Sequence, residues 1–230
     1  MLIIGHRGFP AVKKENTLES FQAALNCGVD GIELDVQITT DQKLVIYHDF
    51  EIYNNNQSHA IINLSFREIQ RLCPGFSIPT LNEVCKMFIQ NKILNIEIKS
   101  QQIQNYQIIK EILATVSLYH LENNIIISSF NPFVLLEARR QNPNIKIGLL
   151  WTGNNSEGWF VTHKSSKQLK PYSFHANINF ITQNLAERII AQGMKLFLYT
   201  VNTKAEFQKA QTLHAYAIFT DYSDKFIITP

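Results

Sequence analysis

Short β-branched runs alternate with amphipathic stretches along the chain, and this alternation limits the fold more than any other feature. Apolar runs occupy Leu2–Ile4, Gly31–Ile38, Leu44–Tyr47, Ile93–Ile98, Ile125–Ser128, Ile145–Leu150, Lys195–Val201 and Ala215–Thr220, with a weaker ninth at Ser173–Phe180. Continuous Ile, Val and Leu, rather than strict alternation, mark parallel strands covered by helices. The intervening segments carry helix signals. Thr17 opens a helix running to Cys27, with Gly28 as its C-cap. Ser65-x-x-Glu68, Thr80-x-x-Glu83 and Thr203-x-x-Glu206 read as capping boxes, and Asn131-Pro132 as an N-cap with proline behind it. Further helices are expected over Gln102–Tyr119 and over Gln183–Gln192, the latter closed by Gly193. Repeated βα units imply a parallel sheet. About eight strands in 230 residues fit an α/β fold of the closed (β/α)8 barrel type better than an open sheet, and no GxGxxG occurs. The link from Ile38 to Leu44 is too short for a helix, and Thr40-Asp41-Gln42-Lys43 reads as a tight turn. Nine candidates for eight barrel positions leave one misassigned or outside the barrel.

Composition removes several function classes. Lys+Arg 21 against Asp+Glu 19 gives 21 − 19 = +2, with 45% hydrophobic and 17% charged residues. That is too apolar and too weakly charged for a disordered chain. It supplies no broad basic field, so nucleic acid is not an expected partner. The length suits one barrel domain over residues 1–230, with residues 49–92 forming a short insertion and connecting helices. Cys27, Cys73 and Cys85 are odd in number and match no zinc spacing, so reduced thiols are expected. Met1-Leu2-Ile3-Ile4 lacks a basic n-region, and its apolar run stops at Gly5-His6-Arg7. No segment approaches the ~20 apolar residues of a membrane span. The expectation is a cytoplasmic protein with no stable membrane anchoring. The sequence carries no signal for oligomeric state.

The ends of successive strands hold the chemistry. The first ends Gly5-His6-Arg7-Gly8, the second contains Glu33-x-Asp35, the third ends His48-Asp49, and the fourth contains Glu97-x-Lys99. Strand side chains alternate, so Glu33 and Asp35 share a face, as do Glu97 and Lys99. Burying a carboxylate costs several kcal/mol unless it is paired or bound to a cation. Three such residues in apolar runs therefore point to a site. Three carboxylates without Cys or His ligands make a hard oxygen site for Mg²⁺, Ca²⁺ or Mn²⁺. Arg7 and Lys99 can bind phosphate oxygens, and His6 and His48 can act as general acid and base near neutral pH. Phosphoester hydrolysis needs this set.

Further strings stand in order with these: Glu15-Asn16-Thr17, Ile78-Pro79-Thr80-Leu81, Asn95-Ile96-Glu97-Ile98-Lys99, Ser128-Ser129-Phe130, Tyr199-Thr200-Val201-Asn202 and Thr220-Asp221-Tyr222. Together they span essentially the whole chain, which resembles the glycerophosphodiester phosphodiesterase family, particularly its compact bacterial cytosolic members. The resemblance implies a TIM-like barrel with a small insertion after the third strand, the one ending at His48. It implies hydrolysis of small glycerophosphodiesters to an alcohol and sn-glycerol 3-phosphate with one divalent cation. Carried over, Glu33, Asp35 and Glu97 hold the metal, His6 and His48 are the acid–base pair, and Arg7 and Lys99 bind phosphate. Glu15 supports the site through a histidine or the metal shell, with Asn16 beside it. The sequence departs from the family pattern at Phe50–His59, which has no Arg, Thr or Gly, at Tyr199, where tryptophan is frequent, and ahead of the last strand, where the usual glycine is missing.

Smaller candidates accompany these. His175 and Asn177 alternate in the weak strand and are placed to point into the mouth. Trp151, with Trp159 and Phe160, is placed to wall the pocket, and Tyr199 to line it. Asp49–Leu64 and Trp151–Gln168 read as loops on the face where barrels build active sites. Two rival functions stand beside the first. A lysophospholipase D-like activity needs an apolar approach to the mouth, for which the Trp151–Phe160 stretch is the one hint, while a basic amphipathic surface helix is missing. A non-catalytic phosphodiester-binding barrel is disfavoured by the presence of both histidines and all three carboxylates. Attack by water and attack by the substrate's own hydroxyl, through a cyclic phosphate, both remain open.

Overall fold

The computed structural model describes residues 1–88, 91–100, 106–153 and 169–227. Its strands are β1 (Leu2–Gly5), β2 (Gly31–Ile38), β3 (Leu44–Ile46), β4 (Glu51–Asn54), β5 (Gln57–Ala60), β6 (Ile93–Ile98), β7 (Ile125–Ser129), β8 (Ile147–Trp151), β9 (Ser173–Asn177), β10 (Lys195–Tyr199) and β11 (Ala217–Thr220). Its helices are α1 (Leu18–Cys27), α2 (Phe66–Leu72), α3 (Leu81–Met87), α4 (Gln107–Leu118), α5 (Pro132–Gln141), α6 (Gln183–Ala191) and α7 (Lys204–Thr212). The order β1-β11-β10-β9-β8-β7-β6-β2 closes on itself through a parallel β1–β2 pairing, so eight parallel strands form a TIM barrel.

The apolar run outside this ring is Leu44–Tyr47, and the weak run at Ser173–Phe180 supplies a barrel strand. β3 lies antiparallel on β2, from Val36 opposite Ile46 to Ile38 opposite Leu44. Chain length dictates this. A parallel return needs a crossover of a dozen or more residues, whereas Thr39–Lys43 closes a tight turn, with the Thr39 amide donating to the Lys43 carbonyl at 3.0 Å. The third strand in chain order is thus an extension of β2 rather than a stave, and the insertion it leads into sits between the second and third staves.

That insertion corrects the expectation of an irregular loop over Asp49–Leu64. Its start is a hairpin of β4 and β5, with Asn54 opposite Gln57. The two turn residues, Asn55 and Asn56, have φ of 50° and 60°. Positive φ at both centres is what the favoured two-residue hairpin turn requires, and asparagine tolerates it. Ile52, Ile61, Ile69 and Ile78 pack beneath the hairpin with Val45 as a separate small core.

Alternation sorts each stave. In β2, wholly buried, Ile32, Leu34, Val36 and Ile38 face the shell between sheet and helices. Glu33, Asp35 and Gln37 therefore face the lumen. Deeper in the lumen Ile4, Ile126, Phe197, Ala217 and Phe219 form an apolar plug. The three capping boxes form as expected at Ser65, Thr80 and Thr203, and Gly28 ends α1 at φ 90°. The helix expected over Gln102–Tyr119 is described from Gln107 onward. Residues 154–168, with Trp159 and Phe160, lie outside the described residues. Among the described residues, no helix is long and apolar enough to cross a membrane.

Candidate active site

Behind β1 the chain turns sharply at Arg7 (φ 52°) and Gly8 (φ 92°). A Cβ on Gly8 would run into Ser20 and the backbone of Phe21, so glycine lets this turn seat against the start of α1. Ser20 Oγ donates to the Arg7 carbonyl at 3.0 Å. The Arg7 amide in turn donates to Glu33 Oε2 at 2.9 Å.

Parallel register places Asp35 opposite Glu97. Glu33, Asp35 and Glu97 each present a carboxylate oxygen within 4.8 Å of the others. Two cations partly balance them: Lys99 Nζ lies 2.9 Å from Glu97 and 3.5 Å from Asp35, and Arg7 Nε lies 3.3 Å from Asp35. Buried Asn16 donates from Nδ2 to Asp35 Oδ2 at 2.9 Å. Burial and then the neighbouring Asp35 push the Glu33 carboxyl up to about 8 and the Glu97 carboxyl up to about 7. Burial also opposes ionisation of Asp35, but Lys99 and Arg7 outweigh it and hold that group below the usual range. Three oxygen donors this close, with surplus negative charge, fit a hard divalent cation.

Each of the two site histidines is held through Nδ1 by a carboxylate. His6 Nδ1 lies 2.7 Å from Asp221 Oδ1, and His48 Nδ1 lies 2.7 Å from Asp49 Oδ1. A carboxylate partner places the ring hydrogen on Nδ1 and leaves Nε2 for chemistry. Burial works against a charge on His6, yet the Asp221 bond and the Glu33 charge overcome it and raise the imidazole above its ordinary value. Asp221 is itself clamped: Asn202 Nδ2 donates to its Oδ2 at 2.6 Å, and its amide donates to Asn202 Oδ1 at 2.9 Å. Gln37 steadies the other side. Its Nε2 donates to the carbonyls of Tyr47 and Asp49, both at 2.8 Å, bracketing His48.

A cavity of about 220 Å³ opens at this end of the barrel. It is smaller than the roughly 300–1,000 Å³ of drug-sized sites and suits a small ligand. His6, Arg7, Glu33, His48, Glu97 and Lys99 all line it, and so do His175, Asn177 and Tyr199. Two expectations need correction. Glu15 reaches neither a histidine nor the carboxylate cluster; it accepts from Arg7 Nη1 at 3.1 Å and so holds the guanidinium. Trp151 does not wall the cavity. Strand parity turns Leu150 inward and Trp151 outward, where its ring packs 6.2 Å from Phe174. Only its carbonyl serves the site, accepting from Tyr199 Oη at 2.8 Å.

The sequence strings include Asp221, Asn202 and Asp49 without assigning them a role, and Gln37 lies outside them. Two signals were present. Asp221 follows the last stave, just as His6 follows the first, and Gln37 continues the inward series of Glu33 and Asp35.

Comparison with known proteins identifies the family and the fold. The model of the glycerophosphoryl diester phosphodiesterase family matches residues 6–225. The chain is 32% identical to a glycerophosphodiester phosphodiesterase of Caldanaerobacter subterraneus subsp. tengcongensis, over 98% of this chain and 96% of the relative. A crystal structure of a glycerophosphodiester phosphodiesterase from Thermotoga maritima is similar at TM-score 0.83 and 29% identity, covering 98% of this chain and 96% of that one. A phosphodiesterase from Oleispira antarctica, solved in complex with the product sn-glycerol-3-phosphate, is similar at TM-score 0.84 and 25% identity, covering 98% and 94%.

Proposed function

The chain belongs to the glycerophosphoryl diester phosphodiesterase family, and on that premise we propose that it hydrolyses glycerophosphodiesters to an alcohol and sn-glycerol 3-phosphate. The observation that carries the reading is the meeting of two carboxylate-held imidazoles with Glu33 and Glu97 in one cavity, with an Asp35 oxygen within 4.8 Å of both carboxylates. Glu33, Asp35 and Glu97 would hold one divalent cation, Mg²⁺ or Ca²⁺, with Mn²⁺ also compatible with an all-oxygen donor set. Such a cation supplies Lewis acidity toward a phosphoryl oxygen. Arg7 and Lys99 bind the remaining phosphate oxygens, and Glu15 and Asn16 hold Arg7 and Asp35 in place. One imidazole takes the proton of the nucleophile through Nε2. The other gives its proton to the leaving alkoxide, so the diester is cleaved without release of a strong base. Asp221 and Asp49 keep the rings oriented through both transfers.

Phosphorus NMR of a glycerophosphocholine digest with Mg²⁺ tests the reading. Glycerol 3-phosphate and choline are the expected products. Phosphocholine and glycerol would contradict it, and cleavage of lysophosphatidylcholine in preference to glycerophosphocholine would favour the lipid substrate class.

Gln37 provides a second test. Its two bonds fix the backbone on either side of His48, and an error of about 1 Å in a catalytic group can cost about 10²-fold in rate. Gln37→Leu is expected to lower kcat by about that factor with KM and cation affinity unchanged. Added to His48→Ala it should cost nothing more, because the two residues act through one group. An additive loss in the double variant would assign Gln37 a role unrelated to His48.

A further inference from the structure

The opposite end of the barrel holds a second cavity, of about 410 Å³, within the roughly 300–1,000 Å³ of small-molecule sites. It lies at the N-terminal ends of β1, β10 and β11. Leu2, Ile190, Met194, Leu196 and Ala215 give it apolar walls, while Lys195 and Tyr216 give it polar ones, with His214 beside them. Tyr199, which lines the active-site cavity, stands four residues beyond Lys195 on β10, a rise of about 13 Å. Ile4, Ile126, Phe197 and Phe219 fill the lumen between them. The two cavities are therefore separate.

Lys195 sets the character of this second cavity. Alternation along β10 turns it to the same side as Phe197 and Tyr199. Its Nζ donates to Tyr172 Oη at 2.8 Å. It lies 3.7 Å from the centre of the Tyr216 ring and 4.7 Å from that of Tyr172. Lys146 Nζ approaches the same Tyr172 ring at 5.6 Å and donates to the Asn123 carbonyl at 2.7 Å. Among the described residues, neither ammonium takes part in an ion pair. Tyr216 is held by stacking on Phe197, 5.7 Å between centroids, yet is 38% exposed. The hydrogen bond and charge of Lys195 hold its phenol below the usual range, as a cation without a counter-ion does. Ile190, on α6, is 40% exposed. In barrels this face ordinarily serves stability, and the two rings account for where the Lys195 ammonium sits. They do not account for an apolar cavity that opens beside a cation lacking an acidic partner.

We infer that this cavity is a second, non-catalytic binding site for a small carboxylate with an apolar tail. Charge complementarity assigns the head group. The wall supplies one ammonium and one phenol O–H, which match the two oxygens of a carboxylate. A phosphate dianion would call for a second cation at the wall, and Lys146 is not among the lining residues. The tail follows from the other walls: an alkyl chain laid along Leu2, Ile190, Met194 and Leu196 would take apolar surface out of water on both sides.

The test is calorimetry on the whole chain with Mg²⁺ present, using hexanoate, octanoate and octylammonium as probes. Octanoate is expected to bind about tenfold tighter than hexanoate, the effect of two further buried methylenes, and octylammonium is expected not to bind. Lys195→Met should weaken octanoate about tenfold or more, as loss of a charged hydrogen-bond donor does, and leave kcat on glycerophosphocholine unchanged. Ile190→Glu, which places a like charge at an exposed rim position, should also weaken octanoate and carries the test if thermal melts show that Lys195→Met fails to fold. Octanoate bound no tighter than hexanoate, equal binding of octylammonium, or an octanoate affinity unchanged in the folded variants overturns the site.

Discussion

Replacing His48 with alanine is expected to lower kcat on glycerophosphocholine by about 10²–10⁴-fold, the usual contribution of a general acid or base. The fold should not notice the change. The His48 side chain is 35% exposed and its partner Asp49 66%, so its removal leaves no buried hole, and surface substitutions of this kind shift stability within about 0.5 kcal/mol. Cation affinity should also hold, because the donors are carboxylates on β2 and β6. His6→Ala is expected to lose a similar factor. The double variant should lose far less than the product of the two, since proton removal and proton donation serve one displacement. A His48→Ala protein that kept most of its kcat would remove the acid–base role from the strand extension and leave β3 a structural device.

The second large effect concerns the carboxylates. Glu97→Gln is expected to lower kcat by about 10³-fold or more, because several kcal/mol of transition-state stabilisation follow a well-held cation. Yet the same change should stabilise the protein in EDTA, because it relieves repulsion among oxygens within 4.8 Å of one another. The sign with pH follows from the site. Glu33 and Glu97 titrate at about 8 and about 7 in the fold, above the roughly 4.3 of an unfolded chain. The folded state therefore binds more protons than the unfolded state between about pH 5 and pH 8, and its stability falls as pH rises through that window. His6, also raised, bends the curve the same way. Melting points in EDTA should drop from pH 5.5 to 8.5, less steeply in Glu97→Gln and less steeply again with saturating Mg²⁺. A melting point that is flat with pH, or a variant less stable than wild type in EDTA, would mean that the three carboxylates do not repel as placed.

The barrel was largely legible in the sequence because its units are local. Ser65, Thr80 and Thr203 announce their helices within four residues, and the apolar runs mark the staves. The alternation in Glu33-x-Asp35 and Glu97-x-Lys99 was enough to bring those side chains to one mouth. What escaped was either topological or distant. Hydropathy does not distinguish an antiparallel flap from a parallel stave, so nine runs compete for eight positions, and the short link before β3 flags the turn without saying which run lies outside. The hairpin escaped because its signal is conformational: Asn55 and Asn56 supply positive φ, not periodicity. The Trp151 error is one of parity, since a strand end misjudged by one residue reverses the face. Asp221 meets His6 across the closure of the barrel, 215 residues away in sequence, where no local spacing can report it.

The most direct test of the central claim is glycerol 3-phosphate release from glycerophosphocholine by protein stripped with EDTA, then titrated with Mg²⁺ or Ca²⁺, beside Glu97→Gln and His48→Ala under the same conditions. Release that vanishes with EDTA, returns with one bound cation per chain and stays low in both variants is the predicted result. Release that persists in EDTA, or that survives in both variants, would contradict a carboxylate-held cation working with a histidine pair.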